Sequence, residues 1–203
     1  MDATSINEKI LKAVREALIQ KDDDLLSENE NVDIIDNNDW PEVLFAEKFL
    51  AKGGDFLFCE KSKDLIDGVI DMFKKNDLST ILCLNDDLSE VLEACGVKHT
   101  RTVSKDNQID YVITQADALI AINGTIVLSF EEEFESIITH SGATLVLFAR
   151  TDQVVKSYAD VSKLVRAQYL EQRIAYTHVI ENPTTENKFE FPRRTYVFLR
   201  YVK

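Results

Sequence analysis

Asn123-Gly124 lies between two apolar runs, residues 118–122 (ALIAI) and 125–129 (TIVLS). Asn-Gly in this setting is the strongest short-range signal for a β-hairpin, because a type I′ turn needs positive φ at both central residues. The hairpin constrains the fold because the flanking sequence asks for something else. Most of the chain alternates strand and helix patterns, which implies a parallel sheet covered by helices. An antiparallel hairpin must therefore be set into a parallel α/β frame.

The alternation begins at Trp40. Pro41 in a first helical turn opens a helix to about Lys52, and Gly53-Gly54 ends it. Residues 55–59 (DFLFC) read as a short buried strand. Residues 62–75 read as a helix with Leu65, Ile66, Val69, Ile70 and Phe73 inward. A strand over 80–84 (TILCL) and a helix over 86–94 follow, the helix stopped by Gly96, and 97–103 is predicted as a third strand. Beyond the hairpin, 131–135 read as a loop or short helical turn, and 143–149 (ATLVLFA) as a strand buried on both faces. Residues 154–172 are predicted helical, with Val161, Leu164, Val165 and Tyr169 on one face. Strands over 174–180 and 195–202 close the sheet, separated by a polar turn region over 181–192. The expected fold is α/β, a mixed, mostly parallel sheet with helices on both faces.

Three stretches divide the chain. Residues 1–20 are an N-terminal helix, with Ile6, Ile10, Leu11, Val14 and Leu18 at helical spacing. Residues 21–39 are an acidic linker. Residues 40–203 form the α/β domain, and 45% hydrophobic residues suffice for a sizeable core.

Charge narrows the partners. A net charge of −13 argues against nucleic acid, which requires a basic face, and against anionic lipid. It leaves room for a local basic pocket holding one small anion. Cys59, Cys83 and Cys95 are odd in number, without C-x-x-C spacing, and read as free thiols in a reducing compartment. No basic segment leads into an apolar core at the start, and no apolar stretch approaches about 18 residues. A cytoplasmic protein is expected, and the Asn123-Gly124-Thr125 sequon is then coincidental.

Self-sufficient catalytic signatures are missing. There is no G-x-G-x-x-G, no G-x-x-x-x-G-K and no G-x-S-x-G, and His99, His140 and His178 are far apart. No cofactor and no metal is expected. His140, in Thr139-His140-Ser141-Gly142, precedes the buried strand and so sits at a sheet end, where chemistry is usually mounted; a loop histidine bonded to backbone is the plainer reading. Glu131, Glu132, Glu133 and Glu135 offer a general base or a solvated face. Arg193-Arg194 offers a bidentate clamp for phosphate or carboxylate, or simply decorates the start of the last strand. Tyr196, Phe198 and Tyr201 read as packing residues.

The segment Gln115-Ala116-Asp117-Ala118-Leu119-Ile120-Ala121-Ile122-Asn123-Gly124-Thr125-Ile126-Val127-Leu128 resembles the central motif of the lactate-utilisation (LUD) domain family, roughly A-D-x-A-I-A-E followed by Thr or Asn and then Gly. The order of later elements is also similar. Pro192-Arg193-Arg194-Thr195-Tyr196-Val197-Phe198-Leu199 resembles the family's terminal G-P-x-x-L-x-V-x-L-L strand. Three positions depart from the pattern. Ile122 replaces an acidic residue, Phe191 replaces a glycine, and Glu181-Asn182-Pro183-Thr184-Thr185-Glu186 stands where the family has a glycine- and hydroxyl-rich loop with a Lys or Arg. Such a loop binds anions through glycine-permitted backbone amides; here the glycine and the charge are gone, with Lys188 as a partial substitute.

The resemblance implies a fold like that of the sugar-phosphate isomerase and coenzyme A transferase superfamily. It also implies an accessory role beside iron–sulfur oxidoreductase proteins that oxidise lactate, with a small anionic ligand near Asn123, Gly124 and Thr125 and with Thr184, Thr185, Arg193 or Arg194 nearby. Two other readings stand beside it. One is an isomerase or acyl-transfer enzyme on a phosphorylated or coenzyme-A-linked substrate, which needs an acid/base carboxylate in the cleft. The other is a non-catalytic regulatory or interaction module.

Overall fold

The Asn-Gly hairpin forms, and it builds a sheet of its own. The computed structural model describes residues 40–74, 79–102, 108–130, 142–161, 176–180 and 194–202, together with Glu8, Phe134 and Ile137. The predicted 1–20 helix, the 21–39 linker, most of 131–135, most of the 154–172 helix and the 181–192 turn region lie outside these residues. The elements are α1 (Pro41–Ala51), β1 (Asp55–Cys59), α2 (Ser62–Phe73), β2 (Ile81–Cys83), α3 (Asp86–Ala94), β3 (Tyr111–Gln115), β4 (Ala118–Ile120), β5 (Thr125–Phe130), β6 (Thr144–Arg150), β7 (Val154–Val155), β8 (Tyr176–Ile180) and β9 (Arg194–Arg200).

Five strands form a parallel sheet in the order β1-β9-β6-β3-β2. The other four form a second sheet, β7-β4-β5-β8, in which β5 runs antiparallel to both neighbours and β7 lies parallel to β4. Alternation along the parallel strands sends Ile113, Val146, Phe148 and Phe198 to one face, where Leu65, Val69 and Phe73 of α2 and Leu88 and Leu92 of α3 cover them. Val112, Leu145, Leu147, Val197 and Leu199 point the other way, onto Phe45 and Phe49 of α1 and onto Leu119, Ile126 and Leu128 of the hairpin. The hairpin sheet thus replaces part of a helical layer. Its outer face carries Ala118, Ile120 and Val127 against Val155 and Val161.

Local signals place most elements well. Pro41 occupies the first turn of α1, and the Asn85 side chain caps α3 by accepting from the Leu88 N–H at 3.1 Å. Gly53 and Gly96 follow their helices with φ +84° and +72°. Four expectations change. Of the strand expected over 97–103, the described residues 97–102 form none; they meet β2 at a single parallel bridge, Leu82 with Thr100, because only Val97 among them is apolar. The place between β2 and β6 goes instead to β3, whose Val112 and Ile113 are almost wholly buried. Val154–Val155 pairs with Leu119 and Ile120 as β7, so the helix expected from 154 starts at Tyr158.

The fourth change is the turn. Ile120 pairs with Thr125, leaving a four-residue turn over 121–124 in place of the two-residue turn expected from Asn-Gly. Its Gly124 has φ +62°, and a Cβ there would lie 2.6 Å from the Phe49 backbone nitrogen and 2.7 Å from the Lys48 carbonyl carbon. Backbone rests on backbone. Gly124→Ala should therefore lose about 2–4 kcal/mol in urea unfolding, combining left-handed strain with a clash that no rotamer relieves. Gly53→Ala, also at positive φ but in open space, should lose about 1–2 kcal/mol. Equal losses would mean that the contact with α1 contributes nothing.

Candidate functional site

The hairpin turn is the most elaborate polar feature among the described residues. Its backbone is held from two sides: Gly124 lies on α1, and the Ala121 and Ile122 N–H groups donate to the Val155 and Lys156 carbonyls at 2.8 and 3.2 Å. The turn side chains are thereby fixed in place. Asn123 Nδ2 donates to the Tyr158 hydroxyl at 3.3 Å, while Asn123 Oδ1 is shut off from solvent with no hydrogen-bond partner among the described residues. Thr125 is fully buried, and its Oγ1 has no partner among them either. Pairing with Ile120 puts the Thr125 side chain on the outer face of the hairpin sheet. Ser129 follows on that face by alternation, and its hydroxyl is likewise buried and unpartnered among the described residues.

A buried, unpaired polar atom costs about 1–3 kcal/mol, so such groups together need a reason. Exposed apolar groups stand beside them: Ile122 is 61% and Tyr158 47% accessible. Position 122, acidic in the family pattern, thus projects an aliphatic side chain toward water.

The other residues singled out from sequence are dispersed or undescribed. Arg194 opens β9, where its Nε and Nη2 grip Asp55 Oδ2 and Oδ1 at 2.5 and 3.0 Å and its guanidinium lies 5.0 Å from the Tyr196 ring. These hydrogen bonds push the arginine above its already high ordinary pKa. A guanidinium engaged bidentately by a carboxylate ties β9 to β1, and among the described residues no contact joins it to the turn. His140, Thr184, Thr185 and Arg193 lie outside the described residues, as do Glu131, Glu132, Glu133 and Glu135.

Two polar residues near the junction of the sheets were not singled out from sequence. Asp117, 7% exposed, links β3 to β4, and its N–H donates to the Val127 carbonyl at 2.9 Å. Gln153, 6% exposed, donates to the Ala116 carbonyl at 2.7 Å and accepts from the Arg150 N–H at 2.8 Å, clamping the end of β6 to the end of β3. Asp117 was visible inside the A-D-x-A motif; nothing in the sequence marks Gln153, whose role depends on two strands meeting.

The thiols are chemically quiet. Burial, assisted by Asp64, pushes Cys59 up to about 12, and burial also raises Cys83 and Cys95. No group of three or more His, Cys, Asp or Glu among the described residues is placed to hold a metal ion. No helix among them is long and apolar enough to cross a membrane.

A five-stranded parallel sheet with a hairpin-built second sheet defines an α/β protein whose central motif is the turn at Asn123-Gly124. The LUD domain family model matches residues 43–199, and the chain belongs to that family. Membership supports a lactate-utilisation-associated role. The chain is also similar to a solved structure, a DUF162 family protein from Deinococcus radiodurans, with a TM-score of 0.59 and 17% identity over 77% of this chain and 94% of that one. At that identity the likeness concerns the fold. A search of curated proteins finds no match.

A raised thiol pKa stabilises the fold below the unfolded value, and that stability is lost as pH climbs through the folded one. Cys59 should therefore favour the native state up to about pH 9 and cease to do so by about pH 12. In the folded protein at pH 8, iodoacetamide should leave Cys59 and Cys83 unmodified while the half-buried Cys95 reacts first. Mass-spectrometric mapping showing Cys59 alkylated as fast as Cys95 would contradict the placement of β1.

Proposed function

We propose that this protein is a LUD-type accessory factor of lactate or related organic-acid oxidation. It binds a small carboxylate at the hairpin turn and works beside an iron–sulfur oxidoreductase rather than carrying out a reaction alone. The observation that carries the ligand reading is the pair of buried polar atoms, Asn123 Oδ1 and Thr125 Oγ1, in a turn whose backbone is fixed on both sides.

An asparagine amide can present either its oxygen or its NH2 group, and a tyrosine hydroxyl can donate or accept. If Tyr158 donates to Asn123, the amide reverses and its NH2 group faces inward. Asn123 and Thr125 then supply two hydrogen-bond donors, as a carboxylate requires. Ile122 bears on the competing reading: an isomerase or acyl-transfer mechanism needs an acid/base carboxylate, and the family's acidic position here holds an exposed aliphatic group. Kinship with the sugar-phosphate isomerase and coenzyme A transferase superfamily would concern fold and carries no reaction with it.

Thermal unfolding tests the proposal. Lactate or pyruvate in excess should raise Tm, because a ligand at about 100 times its Kd stabilises the native state by about 2.7 kcal/mol. Thr125→Val removes a buried hydroxyl that has no partner among the described residues, so the unliganded protein should be unchanged or more stable by up to about 1 kcal/mol. The same variant should lose the ligand-induced shift. No shift with lactate, pyruvate, a sugar phosphate or coenzyme A would overturn ligand binding, and an undiminished shift in Thr125→Val would remove it from the turn.

A further inference from the structure

The stretch after α3 stays within one bridge of becoming the sheet's sixth strand. Thr100 exchanges hydrogen bonds with β2, accepting from the Cys83 N–H at 2.9 Å and donating to the Ile81 carbonyl at 2.8 Å, and among the described residues regular pairing goes no further. Where the segment stands off its neighbours, two cavities open. One, of about 280 Å³, is bounded by Ile70 and Phe73 of α2 and the Lys74 that caps it, by Ser79 and Ile81, and by residues 95–98. The other, wider and more open, lies toward α3 and includes Ser89, Glu93, His99 and Arg101. Gly96, Val97 and Lys98 are common to both and form the wall between them.

The wall is braced from the α3 side. Ser89 Oγ lies 2.6 Å from His99 Nε2, and His99 Nδ1 lies 3.1 Å from the Val97 carbonyl. A carbonyl can only accept, so Nδ1 carries the proton, and Nε2 of the neutral ring accepts from the serine hydroxyl. The α3-side cavity is mixed in charge: Glu93 lines it, and its Arg101 is paired with Asp86.

The α2-side cavity is different. Phe73, Ile81 and Val97 give it an apolar patch within a lining that is otherwise mostly polar, Lys74 and Lys98 are exposed at its edge, and no carboxylate among the described residues lines it. In a chain with 36 acidic and 23 basic residues, two lysines over a partly apolar hollow are, among the described residues, a local reversal of charge. Its size is close to the lower end of small-molecule pockets, roughly 300–1,000 Å³. The geometry points to a second binding site, separate from the hairpin turn, that takes a small organic anion with its apolar body against Phe73, Ile81 and Val97 and its carboxylate or phosphate between Lys74 and Lys98. The missing strand pairing creates the hollow, and the Ser89–His99 bond keeps its wall in position.

The test is a titration of the full chain with phenyl phosphate, followed through backbone amide chemical shifts. Saturable shifts are expected at Gly96, Val97 and Lys98, with inorganic phosphate binding more weakly because it leaves the apolar lining unused. Lys98→Glu should weaken phenyl phosphate by about tenfold, and Lys74→Glu should act in the same direction. Lys63→Glu changes net charge equally but lies on the exposed start of α2, and should leave affinity unaltered. The proposal is overturned by the absence of saturable shifts at residues 96–98, by equal weakening in Lys98→Glu and Lys63→Glu, or by phosphate binding as tightly as phenyl phosphate. Shifts confined to Asn123, Gly124 and Thr125 would also overturn it while leaving the hairpin site standing.

Discussion

The two sheets are joined through the close approach of the Gly124 backbone to the α1 backbone at Lys48 and Phe49. A turn with a side chain at this position would stand off the helix, and the inner face of the hairpin would lose its seat. With glycine there, Leu119, Ile126 and Leu128 reach the same apolar cluster as Phe45, Phe49 and the inward residues of β6 and β9. Burying each such side chain stabilises by about 1.5–3 kcal/mol, so a small steric condition controls a much larger packing term. The polar chemistry of the turn follows from it as well: Asn123 and Thr125 are fixed and enclosed because the backbone between them cannot move away.

The opposite margin of the molecule shows what happens when apolar content falls short. β3 and the segment at 97–102 flank β2 on opposite edges, and burial decides which of them pairs fully, with β3 filling the place between β2 and β6. Val112 and Ile113 fill the two faces of the sheet between β2 and β6, whereas Lys98 and Arg101 have to remain at the surface. The losing segment becomes an edge with one bridge, and the space it leaves is lined by apolar groups that the sheet would otherwise have covered. An incomplete sheet edge and a cavity are here the same fact.

Arg194 illustrates why the site was harder to read than the fold. As part of an Arg-Arg pair after proline it looks available to an anion, and its chemistry suits that role. In the folded chain β1 and β9 lie side by side, which brings Asp55 within reach from 139 residues away. The Ser89–His99 bond is similarly invisible in sequence, since neither residue type nor spacing distinguishes it from many serine and histidine pairs. The hairpin around Asn123-Gly124 was legible because the signal is local: a glycine-bearing turn between apolar runs.

What the sequence by itself determined are the features governed by short-range physics. Asn85 and Gly96 bound α3, Pro41 opens α1, period-two and period-3.6 patterns separate strands from helices, and Asn123-Gly124 demands a hairpin. Tertiary structure alone decided that the hairpin forms a second sheet, that its turn spans four residues, that β3 takes the place between β2 and β6, and that Arg194 pairs with Asp55. The reason is the range of the forces involved. Caps and turns are satisfied within a few residues, whereas strand order and ion pairing depend on which distant apolar surfaces bury each other best, a comparison no local window contains.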